Sequence, residues 1–328
     1  MVALEGMLVW IAVLAGGFVV LVVSASYFVD GAKVTAHYLR VSELIIGLTA
    51  VSIGTSAPEI FVAIMDSLTE SPDVAIGNAI GSNIANIGLV LGLTAIVVPL
   101  PFGNRVLRHE LPLLLLATFL TAFCLANQVV GYVDGILLLG LLGFILYRLV
   151  RESKSTGQLP EEIESEIENL SGMSRRRAWI QLIVGLIVLL FSARAIVTAA
   201  EHLASQMGVS EMLIGLTVVA AGTSLPELAA TMAAALRKSP GIAVGNIVGS
   251  NILNLLAVLA VPALMKPAGT AITAIEFWRD FGTMFALTIL VALFANGIGA
   301  KKIITRSEGA VLLVSYCCYI VLVFWQDG

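Results

Sequence analysis

The chain holds few of the residues that form covalent bridges or ligate soft metals: three cysteines and three histidines in 328 residues. Cys124, Cys317 and Cys318 fall inside apolar stretches without ligand spacing, which argues against a disulfide framework or a thiolate centre and suggests small hydrophobic packers. His37, His109 and His202 lie near the ends of apolar stretches and far apart, so a histidine metal site is not expected. Charge is also scarce, at 12% of residues against 59% hydrophobic, with a mean hydropathy of +1.00. A soluble domain cannot bury that much apolar surface, and the composition predicts a polytopic membrane protein.

What is there is a succession of long apolar runs separated by short polar breaks. They predict ten spans, near 6–29, 41–68, 74–100, 109–127, 129–150, 178–203, 211–236, 241–264, 273–296 and 307–326. Each is roughly 20 residues or more, enough to cross a hydrocarbon core of about 30 Å. The first run has no basic segment before it and no small-residue cleavage site after it, so it reads as a retained span.

Part of the sequence is written twice. Residues 47–90 and 215–258 align without a gap at an offset of 168 (215 minus 47), with 21 identities in 44 positions concentrated in Gly, Pro, Ser, Thr, Asn and Glu. Five spans per copy is an odd number, so the second copy enters the membrane from the opposite face. The expected architecture is all-α, ten transmembrane helices as two inverted five-helix repeats: residues 1–150, a cytoplasmic linker over 151–177, and residues 178–328. Inverted repeats of this kind mark secondary transporters with a site near the midplane.

The basic residues alternate loop by loop. Lys33, Arg40, Arg105, Arg108, Arg148, Arg151, Lys154, Arg175, Arg176, Arg177, Arg237, Lys238, Lys301, Lys302 and Arg306 fall on one side, 15 of the 18 Lys and Arg, whereas Lys266 and Arg279 fall on the other and Arg194 lies within a span. The positive-inside rule then places both termini outside and the 151–177 loop in the cytoplasm. The same offset pairs Thr69-Glu70-Ser71-Pro72 with Arg237-Lys238-Ser239-Pro240, acidic where outside is expected and basic where inside is expected. Val41-Ser42-Glu43 and Val209-Ser210-Glu211 read as helix starts, Ser as cap and Glu in the first turn, with no transport role for either glutamate. The acidic stretch within 151–177 matches no calcium-loop pattern and reads as a solvated linker.

Glu59 and Glu227 stand in mid-span, each in a Gly-Thr-Ser-x-Pro-Glu string. A carboxylate at that depth is costly unless it meets a partner or an aqueous cavity, so it marks function. Pro58 and Pro226, with Gly54 and Gly222, disturb the helix and free carbonyls that only a cavity or an ion can satisfy. Thr55 and Ser56 share a turn with Glu59, as Thr223 and Ser224 do with Glu227. In the following span Ser82 and Asn86 stand four apart on one face, repeated by Ser250 and Asn254. The set offers carboxylate, hydroxyl, amide and carbonyl oxygens, the ligands of hard cations such as Ca²⁺ and Na⁺.

The strings GTSAPE with GNAIGSNIAN, and GTSLPE with GNIVGSNILN, resemble the two alpha-repeats of the sodium/calcium exchanger family in the cation/calcium antiporter superfamily, here without a large regulatory loop. The resemblance implies Na⁺-driven Ca²⁺ antiport by alternating access, with both ions competing for one central cluster. Its ligands would be Glu59, Glu227, Thr55, Ser56, Thr223, Ser224, Ser82 and Ser250, with Asn86 and Asn254 flanking and the Ser52 and Ala220 carbonyls contributing. Many microbial and K⁺-dependent relatives carry Asp where this chain has Asn254, and the H⁺/Ca²⁺ branch carries Glu where Gly81-Ser82 and Gly249-Ser250 follow the Gly-Asn pairs. Those differences point away from K⁺ and leave H⁺/Ca²⁺ antiport as the alternative. A channel would need a pore ringed by charge or carbonyls, and two repeats around one charged pair do not suggest it. A hydrolase using Ser56 or Ser224 would need a base, yet no His or Lys stands in these strings. The expected partners are Ca²⁺, Na⁺ and the lipid bilayer, with no cofactor, no enzymatic activity and no nucleic acid.

Overall fold

The computed structural model describes residues 2–69, 72–153, 173–208, 220–266, 268–297 and 302–327. The helices run in order α1 (Val2–Leu39), α2 (Glu43–Thr55), α3 (Ala57–Leu68), α4 (Val74–Val97), α5 (Val106–Leu125), α6 (Tyr132–Ser153), α7 (Arg175–Gln206), α8 (Ala220–Thr223), α9 (Leu225–Leu236), α10 (Pro240–Met265), α11 (Glu276–Asn296) and α12 (Arg306–Asp327). Among the described residues, eight of these are long and apolar enough to span a membrane, and α2 with α3 make a ninth span bent by 42°. The short apolar α9, preceded by α8, stands at the predicted seventh span. The chain therefore has the all-α layout of ten transmembrane helices in two inverted five-helix repeats.

Burial sorts the helices into a centre and a rim. In the most apolar window of α10, 83% of residues are buried, and in α4 72%, against 11% in α1 and 22% in α6 and α12. Phe18, Val22, Phe144, Val314 and Trp325 point outward from the rim helices, as they do where the surrounding solvent is hydrocarbon. The Gly-Asn-x-x-Gly-Ser-Asn strings of the repeated blocks sit in the two central helices, and α1 and α7 pack against each other.

The two halves match in local detail. The break between α2 and α3 falls at Ser56 (φ −87°, ψ 5°), and the break between α8 and α9 at Ser224 (φ −88°, ψ 4°). A wide π-type turn begins at Asn86 in α4 and another at Asn254 in α10, again 168 apart. Four two-residue strands tie the halves: β1 (Leu100–Pro101) pairs antiparallel with β4 (Ile303–Ile304), and β2 (Val129–Val130) with β3 (Thr270–Ala271). Exchanging the repeats converts one pair into the other. Buried Glu110, paired with Arg105 at 3.2 Å, and buried Asp280, held by Arg279 at 2.7 Å, close the first π-turns of α5 and α11.

Several boundaries differ from expectation. The first span was expected to end near residue 29, but α1 continues to Leu39 and carries Lys33 inside it, buried and 3.8 Å from Glu43. A paired lysine no longer has to break the helix, so Lys33 is not a loop cation. Arg108, expected at a loop, lies in the first turn of α5, as does His109, expected at a span end. Helix also extends into the expected linker from both ends, to Ser153 and from Arg175, where the Ser174 hydroxyl caps Arg177 N–H at 3.3 Å. Residues 154–172 and the helix start expected at Val209-Ser210-Glu211 lie outside the described residues. Cys124 packs as expected, but Cys317 and Cys318 face outward on α12.

Candidate functional site

Each broken span delivers its carboxylate the same way. Ser56 and Ser224 leave helical geometry, Pro58 and Pro226 restart the helix within its first two positions, and Glu59 and Glu227 fall in the first turn of the new segment. A proline there loses nothing, because the first-turn N–H has no ladder partner, and a carboxylate there complements the positive helix end. The ladder donor that Pro58 lacks would have served Gly54, four residues back. The Ser52 carbonyl, expected to be freed, instead accepts the Ser56 N–H at 2.9 Å and lies 3.4 Å from the Thr55 hydroxyl.

The central helices complete the cluster. Glu59 and Glu227 are each 1% exposed and within mutual electrostatic range. Ser56 Oγ lies 3.1 Å from Glu227 Oε1 and 3.0 Å from Ser250 Oγ. Ser56 is the donor in both, and its single proton serves one of these two acceptors at a time. Ser52, Thr55, Ser82, Ser224, Asn86 and Asn254 are all buried, whereas Thr223 is half-buried and Ala220 opens α8.

Much of this polar surface is unsatisfied. Among the described residues, both oxygens of Glu59, Oε2 of Glu227, the hydroxyls of Ser82 and Ser224, and both amide atoms of Asn86 and Asn254 have no hydrogen-bond partner. Buried polar groups are paired in the great majority of cases, so this many orphans on the broken spans and on the turns packed against them mark a ligand site. Their donors and acceptors are dominated by oxygen, and no group of three or more His, Cys, Asp or Glu occurs among the described residues. Such a cluster suits a hard cation that is released again better than a tightly held structural metal.

The sequence reading passed over two participants. Asn246, wholly buried, donates through Nδ2 to Thr231 Oγ1 at 3.0 Å and to the Glu227 carbonyl at 3.4 Å, and accepts the Thr55 hydroxyl at 3.1 Å. The recurrence of Gly-Asn at 77–78 and 245–246 was the available signal for Asn246. Thr231 carried none, because its repeat equivalent is Ala63 (231 minus 168).

A family model described as "Sodium/calcium exchanger protein" matches residues 9–151 and 177–325. The chain is similar to the putative antiporter CaxA of Alkalimonas amylolytica, 40% identical over 94% of this chain and 96% of that one. It is also similar to the sodium/calcium exchanger MaX1 of Methanosarcina acetivorans, 30% identical over 94% and 97%. Among solved structures, the sodium-calcium exchanger NCX_Mj soaked with zero Na⁺ and Ca²⁺ superposes with a TM-score of 0.82 at 30% identity, covering 97% of this chain and 99% of that one.

Proposed function

The chain belongs to the sodium/calcium exchanger family, and from that premise we infer that Glu59 and Glu227 are carboxylate ligands shared by Ca²⁺ and Na⁺ at one central site. The protein is a secondary active antiporter that exchanges Na⁺ for Ca²⁺ by alternating access. The observation that carries the site assignment is the concentration of unsatisfied buried oxygens around the two broken spans. Two carboxylates neutralise one Ca²⁺, and hydroxyl, amide and carbonyl oxygens fill out the shell of about 6–8 that this ion takes. Ser56, Ser82, Ser224, Ser250, Thr55 and Thr223 supply hydroxyls, Asn86 and Asn254 amides, and Ser52 and Ala220 carbonyls. Na⁺ competes for the same oxygens, so loading from one face displaces Ca²⁺ toward the other.

The proposed orientation has both termini outside and the 151–177 segment in the cytoplasm, supported by the one-sided distribution of Lys and Arg. The repeats are assigned to residues 1–150 and 178–328 on the same reading.

The direct test is Na⁺-gradient-driven Ca²⁺ uptake into proteoliposomes by Glu59→Gln and Glu227→Gln. Even at an effective dielectric of about 20, a unit charge ~4 Å away contributes about 4 kcal/mol. Each variant is therefore expected to insert and fold yet lose Ca²⁺ affinity by at least about a hundredfold. Near-normal uptake by either would remove that residue from the site.

A further inference from the structure

The two carboxylates are related by the repeat but differ in their surroundings. Glu227 is held: Ser56 donates to its side chain, and Asn246 donates to its backbone carbonyl. Asn246 is itself fixed on three sides, with both amide protons engaged, by Glu227 O and Thr231, and its oxygen taken by Thr55. Thr231 stands one helical turn beyond Glu227 on α9, so the hydroxyl and the carbonyl that Asn246 bridges lie on the same helix face. In the other repeat Ala63 replaces Thr231 and offers no hydroxyl, and Nδ2 of Asn78, the equivalent of Asn246 (246 minus 168), has no partner among the described residues. Among the described residues, neither Glu59 oxygen nor the Ser224 hydroxyl has a partner there either.

We propose that Asn246, braced by Thr231, is a positioning residue that presets Glu227 as the fixed arm of the ion site, while Glu59 is the arm that the arriving cation orders. The inference rests on the assignment of Glu59 and Glu227 as ligands. A preset ligand lowers the ordering cost of binding, so loosening it weakens affinity without removing any oxygen from the ion. Thr231→Val keeps the shape of the side chain and deletes the hydroxyl that Asn246 leans on.

The experiment is Ca²⁺ uptake in proteoliposomes carrying equal amounts of monodisperse full-length protein, with half-saturating Ca²⁺ and maximal rate measured separately. Loss of one hydrogen bond of ordinary strength corresponds to about a fivefold rise in half-saturating Ca²⁺ for Thr231→Val, with the maximal rate largely retained and the shift reversed in Thr231→Ser. Thr118→Val, which deletes a buried hydroxyl bonded only to its own helix at Leu114 O, is expected to behave as the unmodified protein. Asn246→Ala is expected to raise half-saturation further than Asn78→Ala does. Unchanged half-saturation in Thr231→Val, failure of Thr231→Ser to restore it, or equal effects at Asn78 and Asn246 would each overturn the proposal. Glu227→Gln, measured alongside, separates the two levels. If it is inactive while Thr231→Val is normal, only the positioning role fails, whereas an active Glu227→Gln removes the ligand assignment beneath it.

Discussion

Residue by residue, the site is defined by how little formal charge it contains. Glu59 and Glu227 are the acidic members of the proposed ligand set, and its buried members Asn86 and Asn254 are neutral amides. One Ca²⁺ brings that set to neutrality, and a K⁺ bound with it would be an uncompensated charge in a poorly solvated cavity, a strongly disfavoured state. Na⁺-dependent Ca²⁺ uptake is therefore expected to proceed at full rate when K⁺ is replaced by choline. Asn254→Asp adds a third carboxylate that has to bind a proton or another cation, so this variant is expected to acquire a pH or cation dependence that the unmodified protein lacks. An absolute K⁺ requirement in the unmodified protein would show the charge count to be wrong. The carboxylates, serines and asparagines of this set were readable in the sequence, because costly polar groups recurred at matched positions in apolar runs. Thr231 was not, because its contribution comes from breaking the repeat. The Ser52 carbonyl was expected to be freed, but proline withdraws a donor from the residue four back, Gly54, and leaves Ser52 its bond to Ser56, so it can serve an ion only through its remaining lone pair.

Among the elements, the close approach of α10 to α2 has a direct consequence for stability and exchange. A methyl group at Gly245 would meet the Leu44 carbonyl at 2.6 Å and the Leu48 nitrogen at 2.9 Å, both backbone atoms of α2. At the equivalent Gly77 the surface is exposed, and no described atom lies within 4 Å of such a methyl. Gly245→Ala forces two backbones apart and is expected to destabilise by about 1–3 kcal/mol, read as a lower thermal midpoint of the detergent-solubilised protein. Gly77→Ala is expected to leave stability within about 0.5 kcal/mol. If alternation exchanges the roles of the repeats, α4 must at some point take the close packing that α10 has here, so Gly77→Ala is also expected to slow uptake several-fold. Normal uptake by a normally stable Gly77→Ala would sink that exchange of roles. The helices themselves were legible from run length, since a hydrocarbon core admits few alternatives. Their ends were less so, because a charge such as Lys33 reads as a loop until its partner Glu43 is in view. The π-turns at Asn86 and Asn254 had no distinct sequence pattern beyond their shared asparagines.

For the whole molecule, the proposed orientation follows from where its charges lie. Two ion pairs stand at one end of the bundle, where Asp30 on α1 pairs with Arg237 after α9, and Glu43 at the start of α2 pairs with Lys33 and accepts the Ser239 hydroxyl at 3.1 Å. The repeat equivalents of Asp30, Lys33 and Arg237 are Thr198, Glu201 and Thr69, which cannot reproduce those pairs. The charged end is also the end assigned to the cytoplasm. With Lys33 buried and paired, 14 basic residues (15 minus Lys33) remain on that side against two on the other, an asymmetry still large enough to fix orientation. Two single-cysteine variants test this on an otherwise cysteine-free background made by replacing Cys124, Cys317 and Cys318. In intact cells, Glu70→Cys is expected to react with a membrane-impermeant maleimide from outside. Lys238→Cys, one residue beyond Arg237, is expected to react only after the membrane is opened. Because residues 70 and 238 are equivalent positions of the two repeats, opposite labelling follows from their inverted insertion, and the side on which each labels follows from the charges alone. Labelling of both from one side would contradict the inversion, whereas opposite labelling with the sides exchanged would leave the fold intact and reverse only the orientation.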